Sequence, residues 1–311
     1  MNTKPIESSP FFRLKSKKKL STLLGVSSRE ISAIIKMLDK DITCYYSVFP
    51  IDKKRQAEAP IGKLKRIHSR IKSLLSRTQT PSWLISGKKG KSIKDNALPH
   101  INANFVTCVD IEKFYKNVSL ERVYQLFLHT FGTSPDVAYL LTKLVMYHDE
   151  LDRYFIPTGS PCSQMIAFWA YYQTFSDIAD YILKLGLTMT LYVDDLTLSF
   201  KWRISRKVTN NINLRLKRVG LSLKSSKIKR YGPHQHKVIT GNCITPTHQL
   251  IPTRHLRREI SNLVKNQRLS SLSPKQLKTI QGKIAATHLQ DPNTFVQLDR
   301  KIKKLLKTKS A

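Results

Sequence analysis

From Leu187 to Phe200, two apolar, β-prone runs flank Val193-Asp194-Asp195, a pattern that predicts a tight hairpin with adjacent carboxylates at its tip. Elsewhere most apolar positions recur at helical spacing. Ile31, Ile34, Ile35 and Leu38 follow Ser27-Ser28-Arg29-Glu30, which reads as a capping box opened by Ser27. Leu64, Ile67, Ile71, Leu74 and Leu75 form a second amphipathic helix. Between the two, a largely apolar strand from Tyr45 to Ile51 runs into Lys53-Lys54-Arg55 and then Pro60. Phe105 to Val109 predicts another strand, ending in Asp110. Ser119 opens one helix and Ser134-Pro135 another, bearing Val137, Leu140, Leu141 and Leu144. A buried helix is expected through Met165, Ile166, Phe168, Trp169 and Tyr172, and one through Val208, Ile212 and Leu216 ending near Gly220. Three apolar stripes close the chain: Leu256, Ile260, Leu263 and Val264; Leu277, Ile280 and Ile284; Leu298, Ile302, Leu305 and Leu306.

Composition narrows the class. With 311 residues and 41% hydrophobic content, the chain can bury a full core. Its 54 Lys+Arg against 21 Asp+Glu give a formal charge of +33, which calls for a polyanionic partner, nucleic acid first. Leu196 to Arg258 contains no acid but 15 Lys or Arg, directly after the acidic turn. From Pro252 onward 14 Lys or Arg face 3 acids, so the C-terminal helices carry cationic outer faces suited to a phosphate backbone. The run Lys15, Lys17, Lys18 and Lys19 is a further basic segment. No apolar run reaches membrane-span length, and the N-terminus, with Glu7 between Pro5 and Pro10, lacks a signal-peptide core, so a cytoplasmic protein without membrane attachment is expected. Cys44, Cys108, Cys162 and Cys243 lie too far apart in sequence to suggest zinc or a disulfide framework and are expected as small buried hydrophobes.

The chemistry gathers around the hairpin. Asp194 and Asp195 repel each other, and divalent cations placed between them and a phosphate would relieve that repulsion, as in two-metal nucleotidyl transfer. An Asp-Asp turn alone is equally compatible with a solvated loop. Asp110, at the end of a buried strand, is held as rigidly as a metal ligand must be.

Tyr192-Val193-Asp194-Asp195 resembles the signature turn of reverse transcriptases, and other motifs of that family follow in its order. Asp110-Ile111-Glu112-Lys113-Phe114-Tyr115 is similar to the first catalytic motif. Arg55, Ala57 and Pro60 match Arg-x-Ile-x-x-Pro of retron and group II intron enzymes, with Ala57 for a larger aliphatic residue. Phe155 to Gln164 resembles Leu-Pro-Gln-Gly-x-x-x-Ser-Pro, departing from it at Thr158 and Gln164. Asn96-Ala97-Leu98-Pro99-His100 matches the retron Asn-Ala-x-x-His motif, and Val238-Ile239-Thr240-Gly241 resembles the retron Val-Thr-Gly signature with Ile239 for Val.

The resemblance implies an α+β right-hand polymerase fold: an N-terminal basic helical segment over residues 1–40, fingers over 41–105, a palm with an antiparallel sheet over 106–245 and a helical thumb over 246–311. It implies that Asp110, Asp194 and Asp195 hold two Mg²⁺, and that Lys54, Arg55, Tyr115, Gly159 and Lys227 surround the nucleotide, with Tyr115 excluding a ribose 2′-hydroxyl. Phe114 is expected in the core. Asn96, His100, Thr240, Gly241, Arg254, Arg257 and Arg258 would contact RNA. The activity implied is retron synthesis of a branched RNA–DNA hybrid, msDNA, from deoxynucleotides on a cognate structured RNA, in anti-phage defence with a separate effector protein. The competing readings are a group II intron-like or untemplated defence reverse transcriptase, and an RNA-binding scaffold or antitoxin component with a vestigial polymerase.

Overall fold

The structure is a computed structural model that describes residues 6–52, 55–265 and 269–310. Ser16 and Ser27 cap two short helices, α1 (Lys17–Leu24) and α2 (Ser28–Lys40). The expected capping box is present: Glu30 N donates to Ser27 Oγ at 3.2 Å and Ser27 N to Glu30 Oε2 at 3.0 Å. β1 (Tyr46–Asp52) and β2 (Arg55–Pro60) form an antiparallel hairpin, followed by α3 (Gly62–Leu75), whose apolar stripe is buried as its spacing predicts. β1 is otherwise placed than its apolar sequence suggests. Only Tyr46 is buried, and Val48, Phe49 and Ile51 face solvent, because β1 is the outer strand of a two-stranded sheet whose only partner is β2.

The chain continues through α4 (Ile93–Ala97), β3 (Phe105–Asp110), α5 (Leu120–Gln125), α6 (Pro135–Val145) and a short hairpin, β4 (Tyr147–His148) and β5 (Tyr154–Phe155). The helix expected through Tyr172 is in fact two, α7 (Ser163–Ala170) and α8 (Tyr172–Lys184). Helical geometry breaks at Tyr171 (φ −116°, ψ 16°), whose hydroxyl donates to Asn117 O at 3.1 Å and whose ring packs on Phe114. Apolar spacing that continues across one residue cannot reveal such a break.

β6 (Thr188–Tyr192) and β7 (Asp195–Phe200) make the predicted hairpin, followed by α9 (Arg206–Lys217) and β8 (Lys229–Tyr231). These strands form an antiparallel sheet in the order β6-β7-β3-β8, with β7 and β3 central. β9 (Lys237–Ile239), β10 (Asn242–Ile244) and β11 (Leu250–Pro252) form a second, three-stranded sheet. One apolar core runs from Phe11 to Leu223 and backs the central sheet. The last helices, α10 (Arg254–Lys265), α11 (Pro274–His288) and α12 (Val296–Ser310), close on a core of their own around Ile260, Leu277, Ile280, Ile284 and Ile302. The α+β architecture is therefore as expected, with antiparallel sheets and a separate C-terminal helical unit. Among the described residues no helix is long and apolar enough to cross a membrane. Cys162 and Cys243 are buried and Cys108 is half-buried, but Cys44 is exposed, in a turn where its thiol lies 3.5 Å from Asp41 Oδ2.

Candidate active site

Asp110 is the last residue of β3 and stands directly opposite Asp195, the first of β7, while Asp194 occupies the turn between β6 and β7. One carboxylate oxygen from each lies within 4.8 Å of the others. Strand pairing alone brings the acids together, since the register that buries Val109 against Leu196 also places Asp110 across from Asp195. The turn is strained. Val193 has φ 61°, a left-handed conformation unfavourable for a β-branched residue, and it persists because surrounding bonds hold it. Val193 N donates to Ser86 Oγ at 2.8 Å, and Ile111 N donates to Asp194 O at 3.0 Å.

Ser86 reaches the turn because Trp83 to Ser86 runs along the free edge of β6. Leu191 N donates to Trp83 O at 2.8 Å and Ile85 N to Leu191 O at 2.9 Å. Sequence reading missed this segment, whose pairing is non-local and parallel. Ser86→Ala should cost about 1 kcal/mol of stability, the net worth of one such bond. It should also slow turnover more than it weakens nucleotide binding, because the bond fixes the turn that carries Asp194 and not the opposite wall of the cleft at Arg55 and Glu58. A steady-state comparison in which KM alone changed would refute this positioning role.

Electrostatics strain the triad further. Burial, then the charges of Asp194 and Asp110, pushes Asp195 up to about 6. Asp194 is also raised, by burial first and Asp110 second. Lys227 Nζ donates to Asp110 Oδ1 at 2.7 Å, and that bond raises the lysine. The set is all oxygen, crowded and short of cations, which suits hard divalent ions with shells shared by phosphate oxygens.

A cleft of about 760 Å³ opens beside the triad, lined by residues that include Arg55, Glu58, Tyr115, Lys116, Thr158 and Asp194. Arg55 lies at its exposed rim, paired with Asp52 at 2.8 Å. Lys54 lies outside the described residues. Phe114 is buried against Tyr171 and Phe175, as expected of a core residue, and its other side carries the half-buried ring of Tyr115 (centroids 5.8 Å apart, 30° between planes). Burial, with the Asp194 charge second, raises the Tyr115 phenol, so it stays neutral.

Gly159 is required by the protein itself: a Cβ there would sit 2.9 Å from Ala59 Cβ and from Glu58 O, and Gly159 N donates to that carbonyl at 3.0 Å. Glu58, 3% exposed, was also missed from sequence. Its Oε1 accepts from Lys116 Nζ at 2.6 Å and its Oε2 from Thr158 N at 3.1 Å, and Lys116 Nζ sits 3.4 Å from the Phe155 ring centroid. This one carboxylate ties β2 to the loop bearing Thr158 and to the turn bearing Tyr115. The available signal was an acid between Ala57 and Ala59 on a short strand next to a basic cluster.

The residues expected to touch RNA divide. Asn96 and His100 are fully buried and present no surface to RNA, which corrects the sequence expectation. Asn96 Nδ2 donates to Thr240 Oγ1 at 2.5 Å, and His100 joins Ser199 Oγ (2.7 Å) to Thr190 Oγ1 (2.8 Å). Burial lowers His100 to about 4, so its ring is neutral and can donate on one side and accept on the other. The two sequence motifs are thus one fastening. Thr240 (φ 43°) and Gly241 (φ 81°) form the β9–β10 turn, and Gln290 Nε2 of the C-terminal unit donates to Gly241 O at 3.5 Å. Gly241, Arg254, Arg257 and Arg258 are exposed.

Comparison with known proteins agrees with this geometry. The family described as reverse transcriptase (RNA-dependent DNA polymerase) matches residues 23–240. The Retron Ec86 reverse transcriptase of Escherichia coli is 29% identical over 210 residues, which is 64% of this chain and 63% of that protein. The Retron Se72 reverse transcriptase of Salmonella heidelberg (strain 579083-10) is 28% identical over 186 residues, 58% of this chain and 47% of that protein. The Retron Mx65 reverse transcriptase of Myxococcus xanthus is 26% identical over 172 residues, 50% of this chain and 40% of that protein. The matched segments therefore span about two fifths to two thirds of these relatives.

Proposed function

Since the chain belongs to the reverse transcriptase family, we propose that it is an RNA-directed DNA polymerase of the retron type. It would copy part of a cognate structured RNA into a branched RNA–DNA hybrid, msDNA, primed by the 2′-hydroxyl of an internal guanosine. The observation that carries the reading is the triad of Asp110, Asp194 and Asp195 on paired strands beside a cleft large enough for a nucleotide. The likeness to three retron enzymes supports the retron assignment.

In this reading residues 41–105 act as fingers, 106–245 as palm and 246–311 as thumb. The triad would hold two Mg²⁺. Bound there, the ions would activate the attacking hydroxyl and steady the pyrophosphate. Arg55 at the rim would meet the triphosphate, Tyr115 would face the sugar, and Lys227 keeps a positive charge beside the carboxylates. Glu58 and Gly159 fix the wall of the cleft. The enzyme would act in the cytoplasm, with a separate effector protein, in defence against phage.

The exposed arginines of α10 and the turn at Thr240-Gly241 would grip the RNA backbone. Binding should weaken steeply with salt, with a log–log slope of roughly −0.7 to −0.9 per phosphate neutralised. Arg254→Ala, Arg257→Ala and Arg258→Ala together should flatten that slope by about two to three units, without altering extension of a saturating primer-template. The test is Mg²⁺-dependent extension by deoxynucleotides on an RNA template, with the product analysed for a 2′,5′ branch. A linear product would remove the retron assignment, and no templated product would remove the polymerase reading.

A further inference from the structure

We propose that Trp202 is a base-stacking post for single-stranded RNA, at the end of the central sheet remote from the carboxylates. The inference rests on the RNA-binding reading above and adds to it a second site, outside the cleft.

Position comes first. β7 begins at Asp195 and ends at Phe200, so at about 3.3 Å per residue its far end lies roughly 17 Å from the triad. Trp202 stands in the bend just beyond and is 64% exposed, whereas Trp169 is buried and Trp83 half-buried. The bend is anchored on both sides. Phe200 pairs with Phe105 across the sheet, Ile204 is buried, and Ser205 caps α9, accepting from Lys207 N at 3.2 Å. The indole is therefore presented from fixed backbone.

Its surroundings select the occupant. Lys201 Nζ lies 5.6 Å from the ring centroid, and Arg203, Arg206 and Lys207, also exposed, follow it closely in the chain. None of these four cations is paired with an acid among the described residues. No Asp or Glu occurs between Leu196 and Arg258. A protein partner anchored by this tryptophan would have to bury the unpaired cations that flank the ring in the chain, at a cost that an apolar surface does not offset. Phosphates satisfy those cations while an adjacent base covers the ring, the combination by which single strands are held. A duplex keeps its base faces stacked inside and cannot use the indole in this way.

The experiment measures binding of the full chain to single-stranded oligo(U), by anisotropy of the labelled strand and by quenching of intrinsic fluorescence. Trp202 is the most exposed of the three tryptophans, so it should supply most of the quenching. Trp202→Ala should lose about tenfold in affinity, together with most of the quenching, while its salt slope stays that of the wild type. Trp202→Phe should recover much of the affinity, and Lys201→Ala should lower the slope with quenching retained. Extension of a preformed primer-template should be unaffected in each variant. A folded Trp202→Ala protein with wild-type affinity for oligo(U) would overturn the proposal and leave the ring to a protein partner. A changed slope in that variant would also overturn it, since the ring would then only prop the cations. If the wild type bound no RNA, the RNA-binding reading itself would fall.

Discussion

Asp195→Asn should abolish DNA synthesis and, without metal, make the protein more stable than the wild type at neutral pH. The first effect follows from loss of a charged ligand at a site that must gather two divalent ions against a triphosphate. A loss of several kcal/mol of charge stabilisation corresponds to a rate decrease on the order of 10³-fold. The second follows from the titration. Asp195 titrates at about 6 in the folded chain against an ordinary 3.8, so the folded state favours the protonated acid. Folding is therefore unpenalised below about 4 and loses stability as pH rises through 6. Two units correspond to roughly 2 to 3 kcal/mol at pH 7. Asparagine is isosteric and never ionises, so it escapes that cost. Thermal unfolding in EDTA should show the mutant a few degrees above the wild type at pH 7.5, with the gap closing toward pH 4. Equal stability at both pH values would show that Lys227 already neutralises the site, and substantial extension with Mg²⁺ would remove Asp195 from the chemistry. Asp194→Asn should be equally inactive.

The site was legible in the sequence where it depends on local period. Apolar, β-prone runs on both sides of Val193-Asp194-Asp195 gave the hairpin, and the strand from Phe105 to Val109 gave Asp110 its end position, so both halves of the triad could be placed before their register was seen. The three C-terminal stripes gave the helical unit for the same reason, although Leu263 turned out exposed at its edge. What stayed hidden depends on contacts between distant segments. The Ser86 bond spans 107 residues, the Asn96 to Thr240 bond 144 and the Glu58 to Lys116 pair 58. A polar side chain reads the same in sequence whether it faces RNA or fastens two loops, so Asn96 and His100 were expected at a surface. Burial is what separates the two roles, and here it removes both side chains from solvent.

Phe114 and Tyr115 are adjacent rings, and their replacement by alanine should produce unlike phenotypes. Phe114 is buried among Tyr115, Tyr171 and Phe175, so Phe114→Ala removes a ring packed on three others and should cost roughly 3 to 5 kcal/mol. Tyr115 faces the cleft with Asp194 as a neighbour, and its backbone carbonyl is held independently of the ring by Ile156 N at 3.2 Å. Lys116, the next residue, is tied to Glu58, so the turn should survive loss of the ring. A sugar entering against Tyr115 would meet the ring edge at its 2′ position, where hydrogen is tolerated and hydroxyl is not, a discrimination by exclusion. Tyr115→Ala should therefore stay folded and active on deoxynucleotides while the preference over ribonucleotides falls on the order of tenfold to a hundredfold. Comparing kcat/KM for the two sugars decides the matter, with the folded fraction followed by thermal melting. Unchanged selectivity in a folded Tyr115→Ala protein would place the sugar gate on another residue, and equal destabilisation of both variants would make the two rings a single core.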